Sequence, residues 1–230
     1  MSKQLKLVVG VIAALVATTA SKADTIAYNT SLAAGYYNGT GNPNVGFTTD
    51  TTSAGIQLGL GVNLRFIGPV LPTSTNNYNV PIGTSAHSPA GSATWDFEYS
   101  VDFGSSGLFN DGNTAAVLTI LNVGNGQSTS FDPAAAILGD ATNGNGYQNA
   151  ENLGFSFIRP TIGFDPNAPD EYIITLSLSS VTGSPLASVS ENIDATPIPA
   201  TLPLFAGGLG FVGYLARRRR QSGKRALAAA

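Results

Sequence analysis

The sequence predicts an all-β protein, an antiparallel β-sandwich (jelly-roll-like or immunoglobulin-like) flanked by an N-terminal signal peptide and a C-terminal single apolar helix. Three observations lead to this prediction. One segment alternates strictly between apolar and polar residues, short apolar runs are separated by Gly, Asn, Ser and Pro, and each end of the chain carries an apolar segment beside basic residues. Alternation is typical of strands with one buried face, and many short strands between turn residues are typical of sandwiches.

The clearest strand candidate is the segment 93–103, in which apolar and polar residues alternate throughout. One face carries Trp95, Phe97, Tyr99, Val101 and Phe103. The opposite face carries Thr94, Asp96, Glu98, Ser100 and Asp102. We therefore predict a strand whose apolar face lies in the core and whose polar face lies in solvent.

The remaining strand candidates differ in strength. In segment 171–180 an apolar residue recurs at every second position from Tyr172 to Leu178, and a turn at 182–185 and a returning strand at 186–193 complete a predicted hairpin. Weaker candidates are 25–31, 55–66, 115–123 and 153–159. Because the run 115–123 is apolar on both faces, it predicts a central strand covered on both sides.

Only one helix is predicted within this domain, over residues 132–139. Asp132 would cap it, Pro133 would occupy its first position and Gly139 would end it. No other segment of the domain shows a helical period.

The charges are distributed unevenly along the chain. Segment 24–195 contains all 14 acidic residues but only two basic ones, Arg65 and Arg159, which gives it a net charge of −12. Such a surface repels nucleic acid, so no nucleic-acid partner is expected. The chain has no cysteine and only one histidine, which excludes disulfides, a thiol nucleophile and the usual zinc sites.

The first 23 residues have the three parts of a secretory signal peptide. Lys3 and Lys6 form a basic start, residues 7–17 are apolar and too short to span a bilayer comfortably, and cleavage is predicted between Ala23 and Asp24. The alternative is an uncleaved N-terminal anchor.

Residues 196–220 form a second segment in which an apolar run lies beside basic residues. A proline motif, Pro197, Ile198, Pro199, Ala200 and Thr201, precedes an apolar helix predicted at about 204–216. Four arginines follow it, Arg217, Arg218, Arg219 and Arg220, and residues 221–230 form a basic, alanine-rich tail. The positive-inside rule would keep these arginines in the cytoplasm and the domain outside. The alternatives are a permanent membrane anchor and a core helix of the fold.

This three-part pattern resembles the PEP-CTERM sorting signal, with Ile198 at the position where the usual motif has Glu. The resemblance implies recognition by an exosortase-type processing enzyme, transient anchoring at the inner membrane through the apolar helix, and release to the cell surface or the extracellular space. It also implies a bacterium that makes exopolysaccharide. It covers about 25 residues and implies nothing about catalysis.

Candidate catalytic groups are sparse. His87 lies near Ser85 and Ser88, but no nucleophile-elbow motif accompanies them. Asp96 and Glu98 would lie ~7 Å apart on one strand face, a spacing that an inverting glycosidase pair could use. Because that face is predicted to be solvated, we expect no catalytic residue and no enzyme activity.

Two glycine-rich loops, 109–114 and 139–146, contain the oxygen ligands that calcium prefers. The weak candidate ligands are Asp111, Asn113, Asp140, Asn143 and Asn145. No other cofactor is expected. Sugar binding would use exposed aromatic residues, for which the candidates in Gly/Asn-rich segments are Tyr36, Tyr37, Tyr78 and Tyr147.

Taken together, the residues and the resemblance predict an exported surface or extracellular-matrix protein with a structural or adhesive role beside exopolysaccharide. The alternative is a secreted carbohydrate-binding module, less readily a carbohydrate-acting one, stabilised by calcium.

Overall fold

The computed structural model describes residues 24–37, 41–44, 46–108, 112–135, 142–143 and 145–197, together with Leu209, Phe211, Tyr214 and Arg217. Strands make up 49% of the described residues, which include almost no helix, so the all-β prediction is confirmed for this part of the chain. The strands form two sheets that enclose a shared hydrophobic core.

Twelve strands and one short helix are described. The strands are β1 (Thr25–Thr30), β2 (Phe47–Thr51), β3 (Gln57–Leu64), β4 (Gly68–Pro69), β5 (Asn77–Pro81), β6 (Trp95–Asp102), β7 (Thr114–Asn122), β8 (Ser128–Phe131), β9 (Thr142–Asn143), β10 (Gly146–Glu151), β11 (Asp170–Ser180) and β12 (Pro185–Thr196). The helix α1 is Arg159–Ile162.

Sheet A has the order β1-β2-β3-β6-β10-β9, with β4 paired to β3, and sheet B has the order β5-β12-β11-β7-β8. Nearly all described neighbours are antiparallel, but β5 and β12 run parallel. The expectation of purely antiparallel sheets is therefore wrong for this pair, because a long crossover rather than a tight turn connects them.

The core lies between the inner faces of the two sheets. In sheet A, Leu60 of β3 lies opposite Tyr99 of β6, and both side chains are fully buried. In sheet B, Leu176 of β11 lies opposite Leu118 of β7. The Trp95 ring lies 6.1 Å from the Tyr172 ring between their centroids, which joins the two inner faces. Each buried large apolar side chain contributes about 1.5–3 kcal/mol relative to exposure.

The strongest sequence predictions agree with the structure. The alternating segment 93–103 contains β6, and the predicted hairpin is β11 and β12 joined by a turn. In that turn the Gly183 amide donates to the Ser180 carbonyl at 2.8 Å. Both strands bury alternate residues, as their sequence pattern requires.

Three other predictions are corrected. The polar face of β6 is buried rather than solvated, since every residue of that strand is buried. Strand β7 exposes one face, with Val117 39% exposed, because only sheet A covers it. Segment 153–159 is a series of turns that leads into α1, not a strand. Its turns are anchored by Asn152, whose side chain accepts a hydrogen bond from the Gly154 amide at 2.9 Å.

Part of the predicted helix 132–139 is described. The carboxylate of Asp132 accepts a hydrogen bond from the Ala134 amide at 2.8 Å, as a helix cap would, and residues 133–135 form a turn. Residues 136–139 lie outside the described residues.

The predicted signals fall mostly outside the described residues. Asp24 is exposed and directly precedes β1, and Pro197 is exposed and directly follows β12. Leu209, Phe211, Tyr214 and Arg217 are helical. Ala23, Ile198, Pro199, Ala200, Thr201, Arg218, Arg219 and Arg220 lie outside. Within the described part of the chain, no helix combines the length and apolar character needed to cross a bilayer.

Candidate functional site

The outer face of sheet A is covered by the chain itself. We call the described residues 31–37, 41–44 and 46 the cover segment. Leu32 of the cover segment and Phe47 at the start of β2 lie over Gly59 and Gly61 of β3, where an added Cβ would come within 2.6 Å of Leu32 and 3.2 Å of Phe47. Leu32 and Phe47 are 3% and 0% exposed, so they form a small apolar layer separate from the main core.

Two glutamine side chains hold the cover segment onto the sheet. Gln57 of β3 accepts a hydrogen bond from the Ala33 amide at 2.8 Å. Gln148 of β10 accepts one from the Tyr37 amide at 3.0 Å and donates one to the Gly35 carbonyl at 2.8 Å. These bonds pair backbone groups that the cover segment would otherwise bury without partners.

The cover segment encloses Glu98, which is 1% exposed on the outer face of β6. Its side chain makes no hydrogen bond to any described residue, and Oε1 is fully enclosed. Burial, followed by electrostatic repulsion from the Glu191 and Asp96 carboxyl groups, raises the Glu98 pKa from 4.5 to about 9. A carboxyl with this pKa is neutral at pH 7.

The neighbouring Asp96 is held by two partners. Arg65 donates to Asp96 Oδ1 at 2.8 Å, and Asn152 donates to the same oxygen at 2.8 Å. Burial raises the Asp96 pKa, and the bonds from Asn152 and Arg65 oppose that rise. Asn152 is fully buried and also bonds both the amide and the carbonyl of Ala93, which fixes the end of β10 against the start of β6.

A surface groove of about 610 Å³ lies above this ion pair. Arg65, Asp96 and Asn63 contribute to its polar lining, and residues 41–43 of the cover segment also line it. The turn between β3 and β4 contributes Phe66 and Ile67, and the loop after β10 contributes Phe155. Its volume falls within the ~300–1,000 Å³ typical of small-molecule sites.

The turn that carries Phe66 is strained. Phe66 has a φ of 61°, a left-handed conformation that is rare for a bulky residue. Its ring is 73% exposed, and the adjacent Ile67 is 81% exposed. The Arg65 guanidinium carbon lies 5.7 Å from the ring centroid, and the His87 ring meets the Phe66 ring edge-on at 6.1 Å. The turn thus presents two large apolar side chains to solvent beside a polar floor.

A second groove, of about 560 Å³, is lined by Gly154 and Ser156, the chain neighbours of Phe155. It is lined by Ala90, Arg159 and Phe164, among others. The two arginines of segment 24–195 therefore each line one of the two grooves.

The structure does not bring His87 together with Ser85 and Ser88 as a catalytic group, whereas Asp96 and Glu98 lie next to each other on the outer face of β6. Ser88 donates to Ser85 at 2.9 Å, while His87 is exposed and packs against Phe66. Asp102 accepts a hydrogen bond from the Gly104 amide at 2.9 Å, within its own turn.

Three of the four tyrosines considered for sugar binding are unavailable for it. Tyr37, Tyr78 and Tyr147 are at most 6% exposed, whereas Tyr36 is 66% exposed. The exposed aromatic beside a groove is instead Phe66, which is not among the predicted sugar-binding residues. The signal was present in the segment LRFIGP, where a strand ends in an aromatic residue followed by a glycine turn.

The calcium prediction stays a prediction. Asp111 and Asp140 lie outside the described residues, Asn143 lies in β9, and Asn113 and Asn145 are exposed. Among the described residues, no three Asp, Glu, His or Cys side chains are grouped in a way that could hold a metal ion.

Comparisons of this chain with protein-family models, with curated proteins and with solved structures find no match.

Proposed function

We propose that this chain is an exported, non-enzymatic protein of the cell surface or extracellular matrix. Its β-sandwich has a structural or adhesive role beside exopolysaccharide, and its C-terminal segment is a removable sorting signal. One observation carries this proposal. The last strand of the sandwich, β12, ends at Thr196, immediately before the proline motif begins at Pro197.

The sandwich is complete without the tail. Strand β12 is paired along its length with β11, and its final residues pair with β5, ending with Thr196 opposite Pro81. Cleavage beyond Pro197 therefore removes no described strand. A sorting signal that is cut away after export must have this arrangement, because the released domain has to stay folded.

In this proposal the C-terminal segment is the sorting signal that directs the chain to its processing enzyme. An exosortase-type enzyme recognises the proline motif while the apolar helix holds the chain in the inner membrane, with Arg217 to Arg220 on the cytoplasmic side. The acidic character of segment 24–195 keeps the released domain soluble.

The experiment is the intact mass of the protein recovered separately from the medium and the membranes of its producer. We expect a species that starts near Asp24 and ends near Pro199. A matched variant with Arg217 to Arg220 changed to Gln should remain unprocessed and associated with the cell. A wild-type protein that keeps the four arginines and stays in the membrane fraction would contradict the proposal and identify the helix as an anchor.

A further inference from the structure

The groove above the outer face of sheet A has a hydrogen-bond donor and an acceptor fixed side by side. Both bonds that Asp96 accepts from described residues fall on Oδ1. The Arg65 guanidinium makes one described hydrogen bond, through Nη1, although it carries five N–H donors. The two side chains keep 19% and 11% of their surface exposed. A ligand that offers neighbouring hydroxyl groups can therefore accept from Arg65 and donate to Asp96.

Apolar surface flanks this polar pair. Phe66 and Ile67 stand on one side of the groove and Phe155 lines it as well. Phe66 has a left-handed backbone, a kind of strain that clusters at binding sites. The groove thus combines an exposed aromatic ring with polar groups that hydrogen bonds hold in place. This combination suits a ligand with an apolar face and a hydroxylated edge, and a sugar ring has both.

The charges limit the class of ligand. Arg65 is neutralised by Asp96, so the floor of the groove carries no net charge. Segment 24–195 as a whole carries 14 acidic and two basic residues. Its long-range field repels a polyanion, which disfavours uronate-rich polysaccharides and nucleic acid. An uncharged polymer meets no such barrier.

The second groove provides room for a longer ligand. Gly154 and Ser156 line it, while Phe155 between them lines the first groove. Residues 154–156 thus contribute to both grooves, which places the grooves next to each other at this segment.

We propose that the groove formed by Arg65, Phe66, Asp96 and Phe155 binds a segment of an uncharged polysaccharide. Phe66 stacks on the apolar face of one sugar ring, and Arg65 and Asp96 bond its neighbouring hydroxyls. The polymer continues into the second groove. This inference rests on the proposed function and deepens it by naming the class of polymer that the sandwich contacts.

The test is binding of the full chain to an immobilised panel of uncharged glycans and uronate-containing glycans. We expect retention on one or more uncharged glycans, with little effect of salt. Phe66→Ala should weaken that binding at least tenfold, and Phe66→Tyr, which keeps a ring, should restore it. Val181→Ala is the matched control, because Val181 is also an exposed apolar side chain, 61% exposed, in the turn between β11 and β12. Thermal unfolding followed by Trp95 fluorescence would verify that each variant is folded.

Several results would overturn the inference. They are binding to none of the uncharged glycans, a preference for uronate-containing glycans, or wild-type affinity in folded Phe66→Ala. The proposed function fails separately. A protein that is processed and released but binds no glycan refutes the groove alone, whereas a protein that binds through Phe66 but keeps its tail in the membrane refutes the sorting proposal alone.

Discussion

Replacing Glu98 with glutamine should change how stability depends on pH. Glu98 is enclosed between the outer face of sheet A and the cover segment, and its side chain has no hydrogen-bond partner among the described residues. Burial raises its pKa to about 9. The folded protein therefore retains a proton at neutral pH that the unfolded chain releases. A glutamine side chain has nearly the same shape but does not titrate.

The sign follows from proton linkage. Below pH 4.5 Glu98 is protonated in both states and contributes no pH dependence. As the pH rises from about 4.5 to about 9, the unfolded chain binds fewer protons than the folded one, so the free energy of unfolding falls. The slope is at most about 1.4 kcal/mol per pH unit, which amounts to about 3 kcal/mol by pH 7.

Urea unfolding between pH 4 and pH 9 measures this effect directly. Trp95 is the only tryptophan, it is 1% exposed, and it lies on the same strand as Glu98, so its fluorescence reports unfolding. We expect the stability of Glu98→Gln relative to wild type to increase by about 3 kcal/mol from pH 4 to pH 7. Glu171→Gln, at an exposed glutamate, should run parallel to wild type. Parallel curves for wild type and Glu98→Gln would refute the reasoning, whatever their offset.

Two further changes test the packing around the groove. Asn152→Ala should lower the free energy of unfolding by about 3 kcal/mol or more, because it leaves buried backbone groups of Ala93 and Gly154 without hydrogen-bond partners. The control is Asn167→Ala at an exposed turn, which should change the free energy of unfolding by less than about 0.5 kcal/mol. Gly154→Ala should cost about 1–3 kcal/mol, since the added Cβ would collide with the Gly91 carbonyl oxygen. Gly126→Ala, with open space around it but a φ of 71°, isolates the smaller backbone cost of about 1 kcal/mol. Urea titrations that rank Gly126→Ala as the more damaging glycine change, or Asn152→Ala as harmless, would contradict these contacts.

The strands that the sequence predicts best are those with one apolar face and a local partner. Trp95 to Phe103 alternate without exception, and β11 and β12 are joined by a short turn, so pattern and turn chemistry agree. Strand β5 is missed because its sequence, NYNVP, is short and polar. Its place is fixed by a parallel partner far away in the chain, which no local pattern reveals.

The burial of Glu98 is missed for a related reason. Alternation identifies two faces of a strand but not what covers each of them, and the cover segment comes from residues far upstream. One sequence feature did indicate that this face is covered. Gly59 and Gly61 lie on the outer face of β3, opposite Ser100 and Glu98. A strand face that lacks side chains allows another segment to pack closely against it. The groove depends on the same long-range assembly, because Arg65, Asp96 and Phe155 lie on three separate parts of the chain.

The position of β12 inside sheet B determines when this protein can finish folding. The strand lies between β11 and β5, and its residue Asn192 bonds Asn77, 115 residues earlier. A chain is synthesised from its N-terminus, so β5 and β11 form before β12 is available. Until then, the edges of β5 and β11 that pair with β12 have no partner. Unpaired edges are sites of aggregation, and contacts this distant in sequence form slowly.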